Sequence, residues 1–204
     1  MAQLMEAWNG LLNELGERAP VSLAAVRPGS AEGPIIVERE LGIALPAGLR
    51  EWFTLHDGCG LSFKAMILPS SVPMSPLEAV QDTKMIYEIW SEQEDQTEFA
   101  SEDPGPAGTI AYTWLREFVM VGSDGCGGGL FVDVRSGPQQ GCVRFWDKTE
   151  ADDDYGEGPI APSLAALFRS ITASIRDSSS TTFGYHAVIE DGSIEWRMPD
   201  DAGL

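Results

Sequence analysis

The chain has 204 residues, enough to bury one sizeable core, and its 43% hydrophobic content with six tryptophans excludes a disordered polymer. Charge is the outlier: 32 acidic residues against 13 basic give a formal net charge of -19. Such a surface repels phosphate backbones and anionic lipid headgroups, so nucleic acid and membrane are poor partners and a basic protein is a good one.

In chain order, Leu4, Met5, Trp8, Leu11, Leu12 and Leu15 fall at helical spacing and predict a helix over 3–17, with Glu6, Asn13, Glu14 and Glu17 mostly on its other side. The N-terminal stretch interleaves acids where a signal peptide carries bases, and no apolar run reaches bilayer length, so a soluble cytoplasmic protein is expected. RPGSAEGP (27–34) is a loop by composition, 35–41 a short helix, and Pro46 suits the first turn of the next helix. Leu49, Trp52, Phe53 and His56 share one face of that helix, and Gly58 is placed to end it in the left-handed conformation.

His56, Asp57 and Cys59 are the residue types of nucleophilic catalysis. The only other histidine is His186, however, and no neighbouring base is placed to orient the pair, so the stretch reads as packing and capping. LSFKAMIL (61–68) then reads as a strand. Ser75 and Glu78 in SPLE form a capping box opening a helix to about residue 90, with Leu77, Val80, Tyr87 and Trp90 inward. From 91 to 108, SEQEDQTEFASEDPGPAG loses periodicity and gains charge, the signature of a solvated acidic linker.

Strand patterns follow: EFVMVG (117–122), GLFVDV (129–134) and CVRFWD (142–147), joined by short glycine-rich connections and therefore antiparallel. After the acidic loop DKTEADDDYGEGP, a helix near 162–176 carries Leu164, Leu167, Phe168, Ile171 and Ile175 as one stripe. GYHAVIEDGSIEWRM (184–198) reads as an extra hairpin turning at Asp191–Gly192. The expected class is α+β: a single antiparallel-rich or mixed sheet packed with helices over residues 1–178, with a hairpin extension and tail over 179–204.

No motif carries chemistry. GSDGCGGG (122–129) lacks the lysine and hydroxyl of a phosphate loop and runs from strand to strand, so it reads as a tight connection. Asp152, Asp153 and Asp154, with Asp147, Glu150 and Glu157, lack the alternating register of a calcium loop. The three cysteines, Cys59, Cys126 and Cys142, are too sparse for a disulfide framework or a zinc site. Neither a catalytic residue, a cofactor nor a metal is predicted.

LGIALPAGLREWFTLHDGCG nevertheless resembles the N-terminal signature of the SUKH superfamily, which includes the Smi–Knr cell-wall regulators, through Leu41, Gly42, Leu45, Pro46, Trp52, Phe53, Asp57 and Gly58. VGSDGCGGGLFVDV is similar to that family's glycine turn and following strand (Gly122, Asp124, Gly125, Gly129, Asp133). GCVRFWD is similar to its next strand (Gly141, Val143, Trp146, Asp147), and APSLAALFRSI to its closing helix (Ser163, Leu164, Phe168). The resemblance covers residues 35–176; the linker is longer than a minimal member needs, and the hairpin lies beyond the usual end. It implies a SUKH-like α+β domain and a non-enzymatic, protein-binding role: an immunity protein neutralising a polymorphic toxin, or a regulatory adaptor binding an endogenous protein.

The charge independently favours the first, since an acidic face imitates the field of the substrate that a nuclease's basic face binds. Candidate partner-binding residues are Glu92, Glu94, Asp95, Asp152, Asp153, Asp154 and Tyr155, and Trp146, which is either an aromatic anchor or core.

Overall fold

The first helix, α1 (Ala2–Arg18), buries Leu4, Trp8, Leu11 and Leu15 along the predicted stripe. The structure, a computed structural model, describes residues 2–60, 62–92, 104–111, 113–148 and 158–198. A single turn, α2 (Pro20–Leu23), leads to α3 (Gly33–Leu41) and α4 (Ala47–Leu55), the latter with Pro46 at its N-cap. Glu14 lies not on a solvated face but in a crevice, where Arg18 and Arg176 donate to its two carboxylate oxygens at 2.7 and 2.6 Å. Burial alone would raise its pKa; the two guanidiniums outweigh that and hold the carboxyl below its ordinary range.

α4 does not end on a left-handed glycine. Its C-cap is His56 in extended conformation, and residues 56–58 pair with the preceding loop: Asp57 N–H donates to the Arg27 carbonyl and Arg27 N–H to that of Gly58. Gly58 is indeed left-handed, at φ +72°, but for a different reason, since a Cβ there would stand 2.5 Å from the Ser75 nitrogen.

The expected strand over 61–68 is absent among the described residues. A 3₁₀ turn at Phe63–Ala65 and a tight Leu68–Ser71 turn through Pro69 replace it, leaving only the two-residue β1 (Val72–Pro73). The capping box forms as read: Ser75 Oγ accepts from Glu78 N–H, and Glu78 Oε2 from Ser75 N–H at 2.7 Å, opening α5 (Pro76–Ser91).

β2 (Phe118–Ser123), β3 (Gly129–Asp133) and β4 (Cys142–Trp146) complete an antiparallel sheet in the order β1-β2-β3-β4. It is covered on both sides, so its strands are almost continuously buried. Leu4, Leu49 and Leu164, from α1, α4 and α6 (Leu164–Arg176), line a common cleft with Val132 on one face. On the other, Trp114 stands edge-on to Phe118, Phe131 and Trp146, and Trp146 to Trp90, at 4.9–5.5 Å.

Both sheet edges are closed. α5 continues where β1 stops, its Thr83 hydroxyl accepting the Met120 N–H that no strand pairs. On the far side Val143 exchanges two backbone hydrogen bonds with Ala161. α5 accordingly buries Ala79, Val80, Thr83 and Ile86, whereas Leu77, expected inside, is 56% exposed.

The C-terminal hairpin, β6 (Tyr185–Glu190) and β7 (Ser193–Arg197), turns at Asp191–Gly192 with positive φ at both residues. With β5 (Thr181–Thr182) it makes a separate three-stranded sheet docked on α2 and α6. Ala187 N–H donates to Ser174 Oγ, Ile194 N–H to Ser22 Oγ and the Trp196 indole to the Met66 carbonyl.

An aromatic cluster joins α1, α4 and α6: Trp8 meets Trp52 edge-on at 5.0 Å, Phe168 packs on both, and His56 stacks on Trp52 at 3.5 Å. Burial pushes the His56 pKa down to about 3, opposed weakly by hydrogen bonding with the backbone of Trp52 and Met74. Unfolded, this imidazole takes a proton near pH 6.5. Its contribution is therefore complete above that pH and is lost as pH falls toward 3, reaching about 2 kcal/mol at pH 5. In urea unfolding at pH 7 and pH 5, His56→Asn should lower stability at both but shrink the difference between them; a difference equal to the wild type's refutes the assignment.

Candidate partner-binding surface

The catalytic residue types at 56–59 do not form a reaction centre. His56 is sealed in the aromatic cluster and kept neutral, and burial pushes the Cys59 thiol up to about 12, so no thiolate is available. Among the described residues no group of three or more His, Cys, Asp or Glu side chains is placed to hold a metal ion, and no helix is long and apolar enough to cross a membrane.

Electrostatics is where the molecule is unusual. Arg18, Arg39, Arg50, Lys84, Arg135, Arg176 and Arg197 are each engaged by a carboxylate of the chain itself. Segments 93–103 and 149–157 hold ten acidic residues and no basic one, more than half of the net charge of -19.

Glu92 is the exposed C-cap of α5. Glu94, Asp95, Asp152, Asp153, Asp154 and Tyr155 lie outside the described residues. The fold does fix where their segments leave it. Trp90 and Trp146, each two residues before the last described position, are in edge-to-face contact at 4.9 Å, so both segments depart from neighbouring points. Trp146 itself is 0% exposed, held between Trp90 and Trp114. Its place is core, and it offers no ring to a partner's surface.

The first segment re-enters through a buried ionic network. Asp133, fully buried at the end of β3, accepts from the Arg135 guanidinium (2.6–3.2 Å), the Arg135 N–H and the Gly108 N–H (2.8 Å). Arg135 in turn donates to the carbonyls of Pro104, Gly105 and Thr109, and Arg144 to that of Thr109 at 2.6 Å. One carboxylate and two guanidiniums thus fasten residues 104–109 to the sheet as soon as the acidic stretch ends.

Beside the two departure points runs a groove of about 260 Å³. Asp82, Met85 and Ile86 of α5 form one wall, Met74 and Met120 the floor, and Gly125, Gly127 and Gly128 the opposite rim. Asp124 builds that rim by accepting from Cys126 N–H and Gly128 N–H, and positive φ at Gly125 and Gly127 bends it, as expected of a tight strand connection.

Of the four α5 residues expected inward, Val80 is buried and Tyr87 and Trp90 pack partly buried against the core, but Leu77 is exposed and the groove was missed. Two cues pointed to it: Ala79 and Thr83, small enough to lie close on a sheet edge, and Glu78, Asp82, Met85 and Ile89, which share the adjacent face.

The model of the SMI1 / KNR4 family (SUKH-1) matches residues 33–170, about two thirds of the chain, from α3 into α6. No curated protein matches the chain.

Removing the Asp133 carboxylate leaves the buried Arg135 without its counter-charge. Asp133→Ala should cost about 3–5 kcal/mol in urea unfolding and open residues 104–111 to proteolysis. Arg197→Ala, which breaks only exposed pairs with Glu190 and Glu195, should do neither. Equal effects from the two substitutions would deny the network its anchoring role.

Proposed function

The chain belongs to the SMI1 / KNR4 family (SUKH-1), generally non-enzymatic protein-binding domains of the immunity or regulator type, and from that premise we propose that it is an immunity protein acting by occlusion. It binds a basic toxin domain, of which a nuclease is the best fit, and covers the face that the toxin uses on its substrate. No bond is made or broken. The cytoplasm is the compartment where such protection is needed.

The contact is assigned to Glu92, Glu94, Asp95, Asp152, Asp153, Asp154 and Tyr155. One observation carries this reading: two segments with ten acids and no basic residue between them begin at points that the Trp90–Trp146 contact holds together, while the chain's arginines are largely engaged within the described fold. Concentrated like charge destabilises the compact state through self-repulsion and is returned when an opposite charge docks. It also steers encounter, raising the association rate at low salt more than it slows dissociation. A regulatory adaptor would use the same surface on an endogenous protein.

The test begins with a basic protein retained by the chain from its native cell, purified and mixed in stopped flow. Replacing Asp152, Asp153 and Asp154 by Asn should slow association about tenfold at low salt. The two rates should converge as salt rises past about 0.15 M, where screening acts within about 8 Å. An association rate indifferent to the substitutions removes this loop from the interface, and retention of only acidic proteins overturns the reading.

A further inference from the structure

We propose that the groove between α5 and the 124–128 loop is the partner's anchor site, taking one large apolar side chain flanked by a lysine or arginine that pairs with Asp82. The proposal rests on the protein-binding reading above and says what the acidic segments deliver a partner to.

Its first support is size and lining. At about 260 Å³ the space is smaller than the roughly 300–1,000 Å³ of small-molecule sites and suits a single bulky side chain. Met74, Met85 and Met120 line it, and unbranched thioether chains reshape around an incoming group without a fixed partner shape. The glycines opposite carry no side chain, so a partner's backbone can approach the rim.

The second support is charge complementarity inside an apolar wall. Asp82 is half-buried beside Glu78, and among the described residues no basic side chain is bonded to it. Glu78 is committed to the capping box through its Oε2, which leaves Asp82 as the group awaiting a counter-charge. Burial, and then the proximity of Glu78, hold the Asp82 carboxyl above its ordinary range, the signature of a negative charge short of compensation.

Third, the groove is continuous with the end of α5. Met85 and Ile89, one turn apart and both about half exposed, lead from it toward Glu92, where the first acidic segment leaves. Apolar anchors in a pocket ringed by charge are the usual source of binding strength in an interface.

The probe is a capped pentapeptide with leucine at its centre and two arginines or lysines on each side. Two controls accompany it, one with alanine at the centre and one with glutamates as flanks. The protein carries ¹³C-methyl label on its seven methionines, and shifts are followed by NMR. The leucine peptide should move the Met85 and Met120 signals and leave Met5 and Met198, exposed elsewhere, in place. The alanine and glutamate peptides should move them several-fold less, and Asp82→Asn should weaken the leucine peptide about tenfold.

Met85→Ala, at an exposed position that folding does not need, should also weaken it. Equal shifts from the leucine and alanine peptides, or shifts confined to other methionines, overturn the groove while leaving charge-driven binding intact. Failure of every basic peptide to bind, together with an association rate indifferent to Asp152, Asp153 and Asp154, removes both the groove and the reading on which it rests.

Discussion

A carboxylate at zero exposure, Asp133, is the hinge of this structure's electrostatics. An unpaired charge in that position is costly, and the fold meets the cost by bringing Arg135 and the Gly108 amide onto it. The same guanidinium then satisfies the carbonyls of Pro104, Gly105 and Thr109, which have no strand or helix to bond within. The consequence reaches beyond the local network. With the return of the 93–103 segment fixed on the sheet and its start fixed at the end of α5, a stretch rich in like charge is tethered at both ends.

That arrangement answers a question posed by composition. A chain of net charge -19 must either spread its repulsion or confine it. Here the folded body is closer to balance than the total suggests: Glu14 absorbs two arginines, Glu38 engages Arg50, Glu40 engages both Arg39 and Lys84, and Asp133 engages Arg135. More than half of the surplus is carried by the sequence of 93–103 and 149–157. The packing of Trp8, Trp52, Phe168 and His56, the cluster that joins three helices, involves no charged side chain.

Much of the architecture was legible because its signals are local. The Ser75–Glu78 capping box, the Asp191–Gly192 turn, the glycine connection after β2 and the stripe on α6 each lie within a few residues of sequence, and each forms as read. The family signature was legible for the same reason. What failed was set by partners remote in sequence. Glu14 is buried because Arg176, 162 residues away, comes to meet it. Residues 62–68 turn instead of extending, and the sheet edge beyond the short β1 is taken by α5 through Thr83. The exposure of Leu77 and the seating of Thr83 on the sheet edge follow from that contact, which no helical periodicity encodes, and the groove beside it went unread. Of the candidate site, the acidic clusters were visible in the sequence, but their common point of departure depends on two tryptophans 56 positions apart meeting in the core.

The burial of Trp146 sharpens the division of labour at this end of the molecule. An aromatic side chain placed between two acidic segments reads as an anchor, but in the core it does something different: it holds the end of β4 against α5, the element that forms one wall of the methionine-lined groove. Charges act over distances of about 8 Å at physiological salt and govern how often a partner arrives, whereas apolar contact acts only once water is expelled and governs how long it stays. A surface combining the two lets encounter rate and residence be set by different residues. On the proposed reading, changes in the acidic segments tune the first, and changes in Met85 or Asp82 tune the second. A protein that must recognise one partner quickly and release it slowly gains from that separation, and the Trp90–Trp146 contact fixes the end of α5 beside the end of β4, where the two segments begin.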